Sequence, residues 1–378
     1  MPTKKKSLVP EVYFTSMRTK PFGHSLTEKL SILLDKAGFG KIKFEKQFVA
    51  LKIHFGERGN LAFLRPNFAR TIVDKIKASG GRPFLTDCNT LYVGSRKDAI
   101  EHLETAAQNG YTPEVVGCPI IIADGLKGSD ELDVPVVGGE YIKEAKIGRA
   151  IMDADIVISV NHFKGHEMMG IGGAIKNLGM GCGSRAGKMA MHCDGKVVVD
   201  SKLCVGCGAC AKACAHAAPN IVNRKCKIDV AKCVGCGRCI AACKFDAISS
   251  PMDLEHGMLD KKTAEYAKAV VDGRPNFHIN FAIDISPFCD CHGENDAAIV
   301  PDIGIFASFD PVAVDQACAD AVNAQKPLEN SRLGQSKEKC HDHFTTVSSE
   351  TDWQIQLAHA EKIGIGSRKY KLIEIDAR

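Results

Sequence analysis

Two copies of one cysteine pattern constrain this chain more than anything else in it: Cys204-x2-Cys207-x2-Cys210-x3-Cys214 and Cys233-x2-Cys236-x2-Cys239-x3-Cys243. A loop with a thiol at every third residue can wrap a polynuclear centre and supply three of its ligands, and the fourth must come from elsewhere. The fourth cysteine of each run is expected to start a short helix leading to the other centre. The expected sets are therefore Cys204, Cys207 and Cys210 with Cys243, and Cys233, Cys236 and Cys239 with Cys214. Cys-Val-Gly-Cys-Gly-x-Cys occurs in both runs, and this duplication fits the twofold symmetry such an exchange requires. Zinc ribbons also use C-x2-C pairs, but eight cysteines at these spacings divide poorly into separate tetrahedral sites. Two [4Fe–4S] clusters are the expected cofactors, and Cys226, between the runs, reads as a small buried or hairpin residue.

Nine of the 17 cysteines fall between Cys204 and Cys243. The odd total, with Lys4 to Lys6 followed by Ser7 and Pro10 rather than by an apolar core, argues against an exported disulfide framework. It points to thiolate chemistry in a reducing compartment, the cytoplasm. Lys plus Arg number 49 against 45 Asp plus Glu, a net charge of +4. That balance gives no reason to expect nucleic acid as a partner. No apolar run approaches the ~18 residues of a membrane span.

On both sides of the cysteine-rich stretch, strand-length apolar runs alternate with helical spacing. Phe48 to Ile53 reads as a strand, His54 to Asn60 as a loop, and Phe68 to Ala78 as a helix closed by Gly80-Gly81. Strands are also expected at Pro83 to Thr86, Asp155 to Val160, Asp302 to Phe306 and Lys371 to Ile375, with a helix over Lys97 to Asn109. The implied fold is α/β, a mostly parallel doubly wound sheet built from residues 1–196 and 251–378. Residues 197–250 form an inserted α+β domain. Ligands of such sheets collect at the loops leaving the strands' carboxyl ends.

One such loop is Asn161-His162-Phe-Lys-Gly-His166-Glu167, followed by Gly170-Ile-Gly-Gly-Ala-Ile-Lys176-Asn177. His162 and His166 would share a face on a helix, but Gly165 and Gly170 favour a loop. The glycines do not make a P-loop, because Cys182 and Met189 stand where the motif around Gly187-Lys188 needs Gly and Ser/Thr. His54 and Glu57 leave a strand end, where an imidazole and a carboxylate can move protons or bind metal. Cys289-Asp-Cys291 offers two thiols for redox or metal chemistry. Cys340-His-Asp-His343 reads as a solvated loop, Asp310-Pro311 as a helix start, and Cys88, Cys118 and Cys318 as packing residues.

The insert resembles a bacterial two-cluster ferredoxin, departing from it at Ala215 and Lys244, where ferredoxins usually carry Pro. Nearly the whole chain resembles an uncharacterised family of Fe–S centre proteins, domain of unknown function 362. The matching stretches are His54-Phe-Gly-Glu57, Thr86 to Tyr92, His162 to His166, Gly173 to Gly179, Cys289-Asp-Cys291, Val300 to Gly304 and Asp310 to Asp315. His166-x3-Gly170-x-Gly172-Gly173-x2-Lys176, with His192 beyond, is similar to nickel-pincer lactate racemases. That similarity implies Lys176 as the pincer carrier, His192 as a metal ligand and His166 as a proton acid/base.

The expected activity is electron transfer through two clusters to or from a pocket in the α/β domain, as in an oxidoreductase, with a redox partner protein and a small-molecule substrate. Candidate catalytic residues are His54, Glu57, His162, His166 and Lys176. His192, Cys289 and Cys291 are candidates for an additional metal ion. Two other classes stay open: a non-redox metal enzyme moving protons on a small hydroxy or oxo acid, and a cluster or metal maturation protein.

Overall fold

The computed structural model describes residues 9–92, 94–193, 196–251, 257–337 and 341–377; Lys4 to Lys6 and Cys340 lie outside them. An eight-stranded sheet organises the chain. In chain order its strands are β1 (Glu11–Ser16), β2 (Phe48–Lys52), β3 (Arg82–Asp87), β4 (Ile120–Ile122), β5 (Ile156–His162), β6 (Asn276–Ala282), β7 (Gly304–Ser308) and β8 (Lys371–Glu374). Their spatial order is β8-β1-β7-β6-β5-β2-β3-β4. Only β7 runs against the others, pairing antiparallel with both β1 and β6. Residues 197–250 add no described strand to this sheet, which draws on the chain both before and after them. Among the described residues no helix is long and apolar enough to cross a membrane.

The central strands feed two cores through their period of two. On one face Leu51, Ile158, Val160, Ile279 and Phe281 pack against helices α1 (Leu26–Lys36) and α2 (Pro66–Ala78). On the other, Ala50, Val157 and Phe306 meet four helices: α4 (Ala174–Cys182), α6 (Met258–Val271), α7 (Pro311–Asn323) and α8 (Trp353–Lys362). Helix α3 (Ala99–Gln108) follows β3, and α5 (Arg185–Cys193) follows α4. All seven residues of β5 are buried, as a parallel strand covered on both faces must be.

The strand Asn276–Ala282, which the sequence reading passed over, sits beside β5 at the centre. Its alternation is strict, Phe277, Ile279 and Phe281 against Asn276, His278 and Asn280, but the polar face is buried as well. Those polar side chains are satisfied by partners rather than by water: Asn161 Nδ2 donates to Asn280 Oδ1 at 2.8 Å, and Asn177 Nδ2 to Asn161 Oδ1 at 2.7 Å. Asn280 Nδ2 in turn donates to Asp315 Oδ1 at 2.6 Å. The sheet is thereby stitched to α4 and α7 by hydrogen bonds that burial makes costly to lose.

The order of strands reverses between β2 and β5, which lie side by side although β3 and β4 intervene in sequence. A crevice opens at the carboxyl ends of strands at such a switch point.

His278 is fully buried, with Nδ1 2.9 Å from Ser159 Oγ and Nε2 2.8 Å from Asn276 Oδ1. Burial pushes its pKa down to about 3. The unfolded chain thus binds a proton that the folded one refuses, so stability is full above about pH 6.5 and falls as pH drops toward 3. Urea unfolding across this range should show a slope of up to about 1.4 kcal/mol per pH unit from this residue, reduced in His278→Gln.

Candidate functional site

At the switch point lies a cavity of about 590 Å³, within the usual range for a small-molecule site. His54 and Glu57 reach it from the loop after β2, and His162 from the end of β5. His166 and Glu167 come from a hairpin (Lys164–His166 with Gly170–Gly172), Lys176 from α4, Lys188 and His192 from α5, and Cys291 and His292 from the loop after β6. The Gly-rich segment read as a loop is therefore a hairpin followed by a helix. Cys289 is 1% exposed just behind this wall, with its Sγ 3.4 Å from Lys176 Nζ.

The charges around the cavity are mostly paired. Glu57 is bound by Arg96 Nε at 3.2 Å and by the Ser95 N–H at 2.7 Å, so its carboxylate faces Arg96 rather than His54. Burial works to raise its pKa, but Arg96 and Ser95 outweigh that and hold it below the usual carboxylate range. Asp87 pairs with Lys52 at 2.9 Å and lies 3.6 Å from Arg96. His54 accepts the Gly56 N–H at Nδ1 (3.0 Å), and burial, assisted by Arg96, pushes its pKa well down. Both ring nitrogens of His162 are committed, Nδ1 to Asp290 at 2.8 Å and Nε2 to the Ile283 carbonyl at 2.8 Å. His192 is kept neutral by burial and by Lys176, with a pKa of about 4.

Two groups of side chains are close enough to share a metal ion: His166 with Cys289 and Cys291, and Glu167 with Cys291 and His292, each with ligand atoms within 4.8 Å. Glu167 and His292 meet at 2.9 Å. Burial raises the Glu167 pKa, but His166 and His292 overcome it and bring it to about 2. The Cys291 thiol donates to Cys289, which lowers the Cys289 pKa well below that of a free thiol against its burial, with Lys176 adding to the effect. The same contact, with burial, drives Cys291 up. His192 faces the cavity but belongs to neither group.

Residues 197–250, the expected insert, have two matching halves. A short helix (Ala209–Ala213) is entered through Gly208 at φ 77°, and its counterpart (Arg238–Ala242) through Gly237 at φ 65°. Each helix ends at the fourth cysteine, where ψ turns to 112° at Cys214 and 109° at Cys243. The fourth cysteine therefore closes the helix instead of starting it, because the left-handed glycine two residues before the third cysteine has already begun the turn. Cys204, Cys207, Cys210 and Cys243 line one small cavity, together with Cys226. Cys214, Cys233, Cys236 and Cys239 line a second. Neither cavity has a carboxylate in its wall, and the Cys226 N–H donates to Cys204 Sγ at 3.2 Å. Soft thiolates, an apolar shell and an amide aimed at sulfur fit an iron–sulfur centre.

Helix α5 stands between the insert and the large cavity. Met189 and Cys193 join the insert's apolar cluster, and a Cβ at Gly237 would meet Arg185 and Met189. Lys188 and His192, on another face, line the cavity. Lys97 fastens the insert from outside through Asp246 at 2.6 Å.

Several residues of the site have no role in the sequence analysis: Arg96, Glu167, Lys188 and Asp290. Arg96 lies in a stretch with no spacing signal, Glu167 stands there only as the end of the His162–His166 loop, and Lys188 only in the P-loop comparison that fails. Asp290 was visible only as the middle of Cys-x-Cys.

The chain belongs to the family of the domain of unknown function DUF362, matched over residues 49–320. It is 28% identical over 171 residues to the thylakoid-associated protein sll1697 of Synechocystis sp., covering 42% of this chain and 46% of that one. The chain thus spans about half the length of that curated relative. Among solved structures, it is similar to the lactate racemase apoprotein of Thermoanaerobacterium thermosaccharolyticum at 13% identity and a TM-score of 0.36, over 72% of this chain and 51% of the other. A protein from Thermotoga maritima is similar at 12% identity and a TM-score of 0.37, over 79% and 58%.

The pair of Lys52 and Asp87 is almost wholly buried, at 0% and 4% side-chain exposure. Lys52→Met should cost about 3 kcal/mol, because it leaves the buried carboxylate with Arg96 at 3.6 Å as its remaining cation. Adding Asp87→Leu should recover much of the loss in chemical denaturation, since a double exchange leaves no unpaired charge.

Proposed function

We propose that this protein is an iron–sulfur redox protein in which a ferredoxin-like insert exchanges electrons with a substrate in the cavity at the sheet's carboxyl edge. The observation that carries the reading is the position of α5, whose Arg185, Met189 and Cys193 face the insert while Lys188 and His192 face the cavity. Helix α5 and the adjoining Thr90–Tyr92 segment, whose Leu91 joins the insert's apolar cluster while Thr90 and Tyr92 line the cavity, lie between the thiol sets and the pocket. Cys204, Cys207, Cys210 and Cys243 would hold one [4Fe–4S] cluster, and Cys233, Cys236, Cys239 and Cys214 the other. When bound, such clusters supply single electrons at potentials set by burial and by hydrogen bonds to sulfur.

The chain's own residues supply the rest. Lys164, Lys176 and Lys188 make the cavity's inner wall cationic, which suits a substrate that gains negative charge on reduction. Cys207 is exposed, and Leu203, Val205 and Phe245 expose apolar surface near it. A redox partner protein is expected to dock there. A cytoplasmic location follows from the same chemistry, since reduced thiolates are needed to hold the clusters.

A second reading has support of its own. His166, Lys176 and His192 all line the cavity, and two groups of potential metal ligands lie in its wall. A metal-dependent proton transfer on a small hydroxy or oxo acid would use those groups and leave the insert structural.

Protein purified anaerobically should contain about eight irons and as many sulfides per chain. Reduction should give electron paramagnetic resonance signals, and Cys207→Ser should remove those of one cluster while sparing the other. Zinc in place of iron, or two intact clusters that no reductant alters, would refute the redox reading. Stoichiometric nickel, zinc or manganese beyond the iron would favour the second.

A further inference from the structure

The segment Cys289-Asp290-Cys291-His292 is a tight turn, closed by the His292 N–H donating to the Cys289 carbonyl at 3.2 Å. Two residues apart on an extended strand, the sulfurs would point to opposite sides. The turn brings them together: the Cys291 N–H donates to Cys289 Sγ at 3.4 Å, and the two sulfurs lie within 4.8 Å of each other. Asp290 anchors the turn between them. Its carboxylate holds His162 Nδ1 at 2.8 Å, and its carbonyl accepts the Glu57 N–H at 2.9 Å.

Two contacts set this pair apart from an ordinary cation site. Lys176 Nζ lies 3.4 Å from Cys289 Sγ, placing a positive charge where a metal would bind. His166 Nδ1 accepts the N–H groups of Met168 and Met169 at 3.1 and 3.2 Å, which leaves the ring's proton on Nε2. Ligation through Nε2 would demand an imidazolate. Both contacts stabilise a thiolate and oppose a cation.

We infer that Cys289 and Cys291 form a redox-active dithiol–disulfide couple that exchanges with a small disulfide in the cavity. Cys291 lines the cavity and Cys289 lies behind it, so the roles divide. Cys291 passes its proton to the neighbouring Cys289 sulfur and attacks the substrate disulfide R–S–S–R as the thiolate, and the S–S bond breaks. The first R–S⁻ leaves with that proton, taken from Cys289, and a mixed disulfide joins Cys291 to the second R–S. The Cys289 sulfur, with Lys176 Nζ 3.4 Å away, then attacks Cys291 Sγ and expels the second R–S⁻. The protein is oxidised by two electrons and the substrate is reduced by two, with one proton transferred. The two electrons that restore the dithiol are those the insert would supply one at a time, which rests on the function proposed above.

The test is to poise the whole protein anaerobically at a series of reduced to oxidised dithiothreitol ratios, quench by alkylation and weigh the peptides. The expected result is that Cys289 and Cys291 lose their alkyl groups together in one two-electron transition. Lys176→Met should move the midpoint about tenfold in that ratio, toward the reduced side, since a charge-assisted hydrogen bond to the thiolate is lost. Cys291→Ser should leave Cys289 alkylated throughout. Alkylation of both cysteines at every ratio, or protection that disappears only when a chelator strips a stoichiometric metal, would overturn the inference. Cluster signals from the same samples separate the two readings. Signals present with both thiols indifferent to poise sink the couple alone, whereas an iron-free protein with a poise-dependent disulfide upholds it and sinks the clusters.

Discussion

The helix that carries Lys176 has no cap of its own. Gly173 precedes it with no side chain to offer, and the carboxylate of Asp315, from α7, accepts the N–H groups of Ala174 and Ile175 at 2.7 and 2.9 Å. A cap supplied from 141 positions away in sequence fixes where the helix begins and which way it points. It also explains the glycine, since a Cβ at position 173 would collide with that carboxylate. Asn280 on β6 donates to the same carboxylate at 2.6 Å, so sheet, α4 and α7 meet at one buried charge. Three donors offset part of the cost of burying it, although burial still leaves its pKa near 6. Lys176 and Asn177 take their places from this arrangement, Asn177 reaching the Val160 carbonyl at 3.2 Å and Lys176 reaching Cys289.

From that fixed helix the electrostatics of the cavity follow. Its anionic side is neutralised in place, Glu57 by Arg96 and Asp87 by Lys52. Its cationic side is less so: Lys164 is 3.8 Å from Asp290, and Lys176 has sulfur for its partner. Cys289 is 1% exposed, and beside a buried thiol a cation shifts it toward its ionised form more than it would in solvent. The two cysteines of Cys-x-Cys are therefore unequal, although they are neighbours on one turn.

How much of this could be read from residue order depends on what each element is made of. Strands β2, β3 and β5 were legible because continuous apolar runs between polar loops have few alternatives. The grouping of the cysteines around two small cavities was legible because their spacing is local. The strand Asn276–Ala282 was not, because its buried face is polar and reads as solvent-facing until its partners are known. The helix from Ala174 was not, because its cap is long-range and its glycines at 179 and 181 mimic a loop. Gly179 packs so closely against the Thr263 carbonyl that a Cβ would overlap it, so the residue serves helix contact rather than flexibility. His54 and Glu57 were rightly expected to leave the same strand, but their pairing was set by Arg96, which nothing nearby in sequence announces.

Helix α5 turns these separate facts into one constraint. Residues 185, 189 and 193 recur every four positions, as do 188 and 192, so two stripes of the same short helix serve different neighbours. The first stripe packs sulfur, methylene and a buried guanidinium that donates to the Thr90 carbonyl at 3.0 Å. The second presents an ammonium and an imidazole to the cavity. Because both stripes lie on one nine-residue helix, a rotation that eased one would misplace the other. The insert, packing against one side through Gly237 and held to the loop before α3 by Lys97, therefore bears on the cavity's wall through the same helix.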